Sequence, residues 1–156
     1  MTKTLPIDDL DDLPGHHIRR LQQIAVGIFM DETADVNVTP VQFALLFAAS
    51  KQAGLDQRTL AGRIGLDTST IGAVVDRLEA RGLIERRASP NDRRVRLLNV
   101  TQAGKKLLES VMPAMLRAQE RMLAPLPKAE RAKFMAMVKR IVEENSAWSR
   151  AAKDAG

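Results

Sequence analysis

Seven arginines fall in the twenty residues from Arg77 to Arg96, against three acids, so this stretch carries +4 of the chain's net +5. Arginine is weakly hydrated, and its planar fork pairs hydrogen bonds to phosphate oxygens or enters narrow minor grooves. The chemistry on offer is therefore recognition of a polyanion rather than bond-making. Inside the stretch, Ser89-Pro90-Asn91-Asp92 is turn-forming sequence that puts Arg93 and Arg94 at a loop tip. Asp92 is out of place beside a polyanion unless it holds a neighbouring arginine in position. A second cluster, His16, His17, Arg19 and Arg20, can hold a carboxylate through charge-assisted hydrogen bonds. Cations at the start of a helix oppose its dipole and require compensation. Either a bound anion or the acids Asp8, Asp9, Asp11 and Asp12 would supply it.

These side chains need elements to hold them. Ile71, Val74, Val75 and Leu78 recur at i, i+3, i+4 and i+7, one apolar stripe of a helix. Asp67, Thr68 and Ser69 offer N-cap oxygens, and Gly82 ends the helix. Its opposite face carries Ser69, Thr70, Ala73 and Arg77, mostly short side chains that let a backbone approach base edges. A plain capped surface helix would show the same stripe. Before it, Gln57 to Ile64 reads as a short helix, with Gly65 and Leu66 as the turn, which together make a helix-turn-helix unit. After it, Leu83–Arg87 and Val95–Val100 read as two strands around the basic tip, with Val95, Leu97 and Val100 on one face.

The flanks are helical. One helix is expected from His16 to about Asp31, with Ile18, Leu21, Ala25, Ile28 and Phe29 apolar. Another starts at Thr39-Pro40, with Phe43, Leu46 and Phe47 facing inward. A long helix capped by Thr101 runs toward Leu123 and meets Pro113, which should kink it. The last, about Lys128 to Ser149, has Phe134, Met137, Val138, Ile141 and Val142 as a broad apolar stripe. The fold expected is mainly α with a small β-wing: a winged helix-turn-helix over residues 39–101, and helices over 16–38 and 102–150 whose surplus apolar faces pair in a homodimer. Residues 1–15, net −3, read as a mostly disordered acidic arm.

Composition narrows the function. Aromatics are 3% of 156 residues, too few for base-stacking platforms that bind single strands. With no cysteine and two histidines, disulfides, zinc sites and a nucleophilic triad lose their residues, so no metal, cofactor or catalytic site is expected. The acidic start and an apolar run of only seven residues, Phe43 to Ala49, argue against a secretory signal or a membrane span, giving a cytoplasmic expectation.

The run DRLEARGLIERRASPNDRRVRLLNVTQAG resembles the signature of MarR-family transcriptional regulators, and the order of helices around it matches as well. The resemblance implies an obligate homodimer on double-stranded DNA, reading a pseudo-palindromic operator as a repressor. It places Ser69, Thr70, Ala73 and Arg77 on the recognition helix in the major groove. Arg94, beside Arg93, goes to the minor groove, with Asp92 orienting it. It also implies a small aromatic carboxylate between the dimerisation helices and the DNA-binding lobe, where Phe43, Phe47 and Met112 would join His16, His17, Arg19 and Arg20, although a plain core role for each apolar residue stays open. The absence of cysteine removes the oxidant sensing used by one branch of the family. The segment LPGHHIRRLQQIAVGIF resembles the first helix of the branch that represses nicotinate degradation, which implies a hydroxylated pyridine carboxylic acid such as 6-hydroxynicotinate as inducer. Two other readings stay open: a winged-helix activator or architectural protein without a ligand, and a helical enzyme or interaction module whose basic hairpin meets another polyanion.

Overall fold

The computed structural model describes Ile7 and residues 9–149. A turn of 3₁₀ helix at Leu10–Asp12 precedes α1 (Pro14–Glu32) and α2 (Pro40–Lys51), after which a two-residue strand β1 (Leu55–Asp56) leads into α3 (Gln57–Ile64) and α4 (Thr68–Ala80). The hairpin β2 (Ile84–Ala88) and β3 (Arg96–Val100) then feeds α5 (Gln102–Leu123) and α6 (Lys128–Glu144), and a 3₁₀ turn closes at Ser146–Trp148. The sheet is antiparallel in the order β1-β3-β2. The winged helix-turn-helix expected from the sequence is the fold observed.

Each helix of the central lobe starts on a side chain that satisfies its first amides. Thr39 and Gln42 form a reciprocal capping box: the Gln42 amide donates to Thr39 Oγ1 at 3.2 Å, and the Thr39 amide donates to Gln42 Oε1 at 3.1 Å. Asp56 caps α3 through the Thr59 amide at 2.8 Å, and Asp67 caps α4 through the Thr70 amide at 2.7 Å. Thr101 caps α5 through the Gly104 amide at 3.1 Å while its own hydroxyl donates to Gly82 O at 2.6 Å. That second bond ties the start of α5 to the turn that ends α4.

The core of the lobe gathers Leu45, Leu46, Leu60, Ile71, Val75, Leu78, Ile84 and Leu98, all sealed from solvent. A second cluster, Phe29, Val38, Val111 and Ala118, joins α1 to α5. Phe43 and Leu107 pack against both. At one point the lobe has no room for a side chain. A Cβ on Gly104 would lie 2.1 Å from Leu83 O and 2.6 Å from Val100 Cγ1.

Three expectations need correction, and one strand is additional to them. The inward residue of β3 is Leu98, fully buried, while Val95 is 36% exposed, so the expected face of Val95 and Leu97 is the outer one. A one-residue slip inverts a strand, and Leu98 is fixed inward because both neighbours, Leu55 and Arg86, pair with it. Residues 9–15 are not an unstructured arm: Asp9 accepts from the Asp11 amide at 3.0 Å, and α1 begins at Pro14. Residues 1–6 and 8 lie outside the described set. The last helix ends at Glu144 rather than near Ser149, its final turn tightening to 3₁₀. The two-residue β1 was not expected at all, being too short to show an alternating pattern. The expected long helix is α5, and it runs through Pro113.

α1 is braced to α5 by ions as well as by packing. Arg117 Nε donates to Glu32 Oε2 at 2.8 Å, and Arg121 Nη1 donates to Glu32 Oε1 at 2.8 Å and to Asp31 Oδ2 at 2.6 Å. Outward, α1 shows Ile18, Leu21 and Ile24, and α6 buries no residue at all. Together they wall an apolar groove of about 800 Å³ that includes Phe134, Met137, Val138 and Ile141.

Gly104→Ala should lower stability by about 1–3 kcal/mol, the usual cost of overpacking, since the atom it would strike is backbone; a denaturant melt measures it. A pH effect follows from the brace. Hydrogen bonds from Arg121 and then Arg117 hold the Glu32 carboxyl below its ordinary value of 4.5. A carboxyl lowered in the folded state adds stability that is complete above the unfolded value and is lost as pH falls through the folded one. Glu32→Gln should therefore melt below wild type at neutral pH, and the gap should close as pH falls past 4.5 and through the folded value. Screening keeps the effect small, because Arg117 and Arg121 are 59% and 48% exposed.

Candidate nucleic-acid interface

The turn between α3 and α4 is built on Gly65, whose φ of 72° is left-handed, and Leu66 donates back to Ala61 O at 2.9 Å. α4 then buries Ile71, Val75 and Leu78 and leaves Ser69, Ala73 and Arg77 exposed, with Thr70 half-buried. The Ser69 hydroxyl donates to Asp67 Oδ1 at 2.8 Å, so this residue serves the cap as well as the exposed face.

The wing tip is a closed loop. Ser89 N donates to Val95 O at 2.9 Å, and Val95 N donates to Asp92 O at 3.0 Å. Asp92 Oδ1 accepts from the Arg94 backbone amide at 2.9 Å. Asp92 thus shapes the chain on which Arg94 sits; no contact with the Arg94 guanidinium is seen. Arg94, Val95 and Arg96 face Asp56, Gln57, Arg58, Thr68 and Ile71 across a cleft of about 520 Å³. The start of α4 and the root of the wing therefore flank one concavity.

The arginines divide into two groups. Arg81 Nη1 donates to Asn37 O at 2.8 Å, Arg86 binds Asp76 and Glu79, and Arg87 binds Glu85 at 3.0 Å. Burial opposes the Arg86 charge, but hydrogen bonds to Glu79 and Asp76 outweigh it and raise its pKa above the ordinary value. Arg77, Arg93, Arg94 and Arg96 have no side-chain hydrogen bond or ion pair among the described residues, and all are exposed. Two of the four, Arg94 and Arg96, line the cleft, and exposed cations without internal partners among the described residues are what a polyanion would need. Gln57, Arg58 and Arg96 were not singled out from the sequence, yet they line this cleft. The cue was available for the first two, because the opening turn of the first helix in such a unit lies beside the recognition helix.

The residues expected to hold a carboxylate do not converge in one subunit. His17 and Arg20 line the α1–α6 groove. Phe47 and Met112 line a separate hollow of about 530 Å³ between α2 and α5. Phe43 stacks on Phe47 with centroids 5.7 Å apart and tilts against Phe29 at 6.0 Å, so it joins the two core clusters. The cationic cluster already has an internal partner: Asp11 Oδ1 lies 3.8 Å from His16 Nε2 and 4.0 Å from Arg20 Nη1, and Asp11 O is 2.7 Å from His17 Nε2. Arg19 Nη2 approaches His16 Nδ1 at 3.5 Å.

Comparison with known proteins decides the family. The model for the MarR family matches residues 38–95. The PcaV transcriptional regulator of Streptomyces coelicolor, solved with its natural ligand, is 36% identical with a TM-score of 0.79, covering 89% of this chain and 98% of its own. The chain belongs to the MarR family. A further MarR-family structure, BpsR of Bordetella bronchiseptica, whose DNA binding is regulated by 6-hydroxynicotinic acid, is 27% identical with a TM-score of 0.82, over 86% of this chain and 96% of its own. The repressor NicR of Pseudomonas putida is 27% identical over 88% of this chain and 87% of its own. These MarR-family relatives are transcriptional regulators, not enzymes. Among the described residues no helix is long and apolar enough to cross a membrane.

For a MarR-family wing the unpaired arginine at the tip is the side chain to remove first. Arg94→Ala should weaken binding to specific DNA and reduce the slope of log K against log salt by about 0.9, the signature of one lost phosphate contact. Anisotropy titrations at several salt concentrations measure it, with circular dichroism to show that the fold is intact. An unchanged slope would take Arg94 out of the interface.

Proposed function

We propose that this chain is a homodimeric transcriptional repressor, acting in the cytoplasm, that binds a pseudo-palindromic operator and releases it on binding a small aromatic carboxylate. The observation that carries the reading is the cleft flanked by α4 and the wing, together with Arg77, Arg93, Arg94 and Arg96, which have no side-chain partners among the described residues. In this reading Ser69, Thr70, Ala73 and Arg77 meet base edges and phosphates in the major groove, and Arg93 and Arg94 reach the flanking minor groove. Dimerisation is supported by the apolar groove between α1 and α6, where Ile18 is 58% exposed and Ile141 55%. An isologous pairing there would set two recognition helices about one helical turn of DNA apart.

The ligand class is supported by the relatives, BpsR above all, and by the cations at the start of α1. 6-Hydroxynicotinate is the first compound to test. The inducer need only favour a dimer whose recognition helices are wrongly spaced; a preference of about 100-fold, near 2.7 kcal/mol, weakens DNA binding by a similar factor. One observation favours a second reading, a winged-helix DNA-binding protein without such a ligand. Asp11 already sits against His16 and Arg20 and compensates the cations from within the chain.

The test is fluorescence anisotropy at near-physiological salt on DNA from upstream of the protein's own gene, against scrambled DNA. A preference of about 10³-fold or more is expected, and equal binding to both would overturn the reading. Added 6-hydroxynicotinate should then raise the apparent Kd on the upstream fragment. Arg20→Ala should leave DNA binding intact and blunt that release. Binding that stays unchanged across pyridine and benzoic acids would favour the ligand-free reading.

A further inference from the structure

Arg86 lies in the middle of β2, on the face that also carries Ile84, directly opposite the fully buried Leu98. A guanidinium on that face must leave the sheet sideways. Its Nε donates to Glu79 Oε2 at 2.6 Å and its Nη2 to Asp76 Oδ1 at 2.5 Å, leaving the side chain 29% exposed. Two donors on one rigid plane thus engage carboxylates three residues apart on α4. Such a bond set fixes both the height of the strand along the helix and its rotation about it. The only covalent link between the two elements is the short turn through Gly82, at φ 69°.

We propose that Arg86 is a positioning residue that sets the angle between the wing and the recognition helix and so delivers Arg94 to DNA without touching DNA itself. The proposal rests on the DNA-binding reading above. Arg86 binds α4, and Arg94 lies beyond it on the same hairpin. A loosened clamp would let the tip swing, and the Arg94 contact would then be made only part of the time. The clamp has a second effect: Asp76 and Glu79 flank Arg77 on a helix meant to meet phosphates, and Arg86 binds both and offsets one of their two negative charges.

The test is a double-mutant cycle on the full chain, comparing wild type, Arg86→Lys, Arg94→Ala and the double variant by anisotropy on upstream and scrambled DNA at several salt concentrations. Lysine keeps the charge but is a single point donor that cannot span both carboxylates. Arg86→Lys should weaken specific binding by about tenfold, with its salt slope unchanged, and the fold-cost of Arg94→Ala should shrink by about threefold or more in that background. Costs that simply multiply, or a slope lowered by about 0.9 as for a direct phosphate contact, would overturn the proposal. Should Arg86→Lys fail to fold by circular dichroism, Glu79→Gln attacks the clamp from the helix side. Charge alone predicts tighter DNA binding on losing that carboxylate, whereas the clamp predicts weaker binding; tighter binding overturns it. A wild type with no preference for the upstream fragment would defeat the DNA-binding reading. A preference with multiplying costs would defeat only the clamp.

Discussion

A recognition helix can expose one face of small side chains only if its other face is sealed and its two ends are held. In this chain the seal is Ile71, Val75 and Leu78, all at zero exposure, packed with Leu46, Leu60 and Leu98. Burying each such side chain is worth about 1.5–3 kcal/mol, while the exposed face of Ser69, Ala73 and Arg77 has little packing to offer. The N-terminal end is held by Asp67, which accepts from both Thr70 N and Ser69 Oγ. The C-terminal end runs into Gly82, whose carbonyl accepts from the Thr101 hydroxyl, and into Leu83, whose carbonyl lies against Gly104. The absence of a side chain at Gly104 therefore lets α5, the helix that spans both lobes, start directly on the turn behind the recognition helix.

Charge is allocated by the same logic. A net charge of +5 describes attraction to a polyanion poorly, because many cations are spent internally. Arg81 holds the α1–α2 connection through the Asn37 carbonyl, Arg86 holds α4, and Arg117 and Arg121 hold the end of α1. The acids that pair with them are drawn from helix flanks, leaving the wing tip with Asp92 alone, whose carboxylate is bonded to a backbone amide. What distinguishes the tip is that Arg93 and Arg94 have no side-chain partners among the described residues.

Much of this was legible in the sequence, and the reasons are local. α3 was read as Gln57–Ile64 and is found there, because an Asp cap and a Gly stop bracket a pattern with no competing signal. The apolar stripe of α4 is legible for the same reason, and of the three N-cap candidates Asp67, Thr68 and Ser69 the cap is Asp67. The inner face of β3 did not, since Leu97 and Leu98 are adjacent and equally apolar, and only pairing with Leu55 and Arg86 decides which points inward. Arg86 looked like one more basic wing residue because its acidic partners lie seven and ten positions back, on another element. Chemistry groups the cations of α1, and the family resemblance adds Phe43, Phe47 and Met112; the fold puts His17 and Arg20 in one hollow and Phe47 and Met112 in another.

The two lobes are nevertheless mechanically joined. Phe43 on α2 and Leu107 on α5 pack against both core clusters, and Phe43 stacks on Phe47 within the lobe while touching Phe29 of α1. Close-packed interiors shift between discrete arrangements rather than deforming smoothly. Phe29 of α1 is thus not packed in isolation. It meets Phe43, whose helix carries Leu45 and Leu46 into the core beneath α4. A second route runs from the α1–α2 connection through Asn37 O to Arg81, the residue that caps α4. The first route reaches the core beneath α4 and the second its C-cap, so packing and one hydrogen bond join α1 and its connection to the helix that carries Ser69 and Arg77.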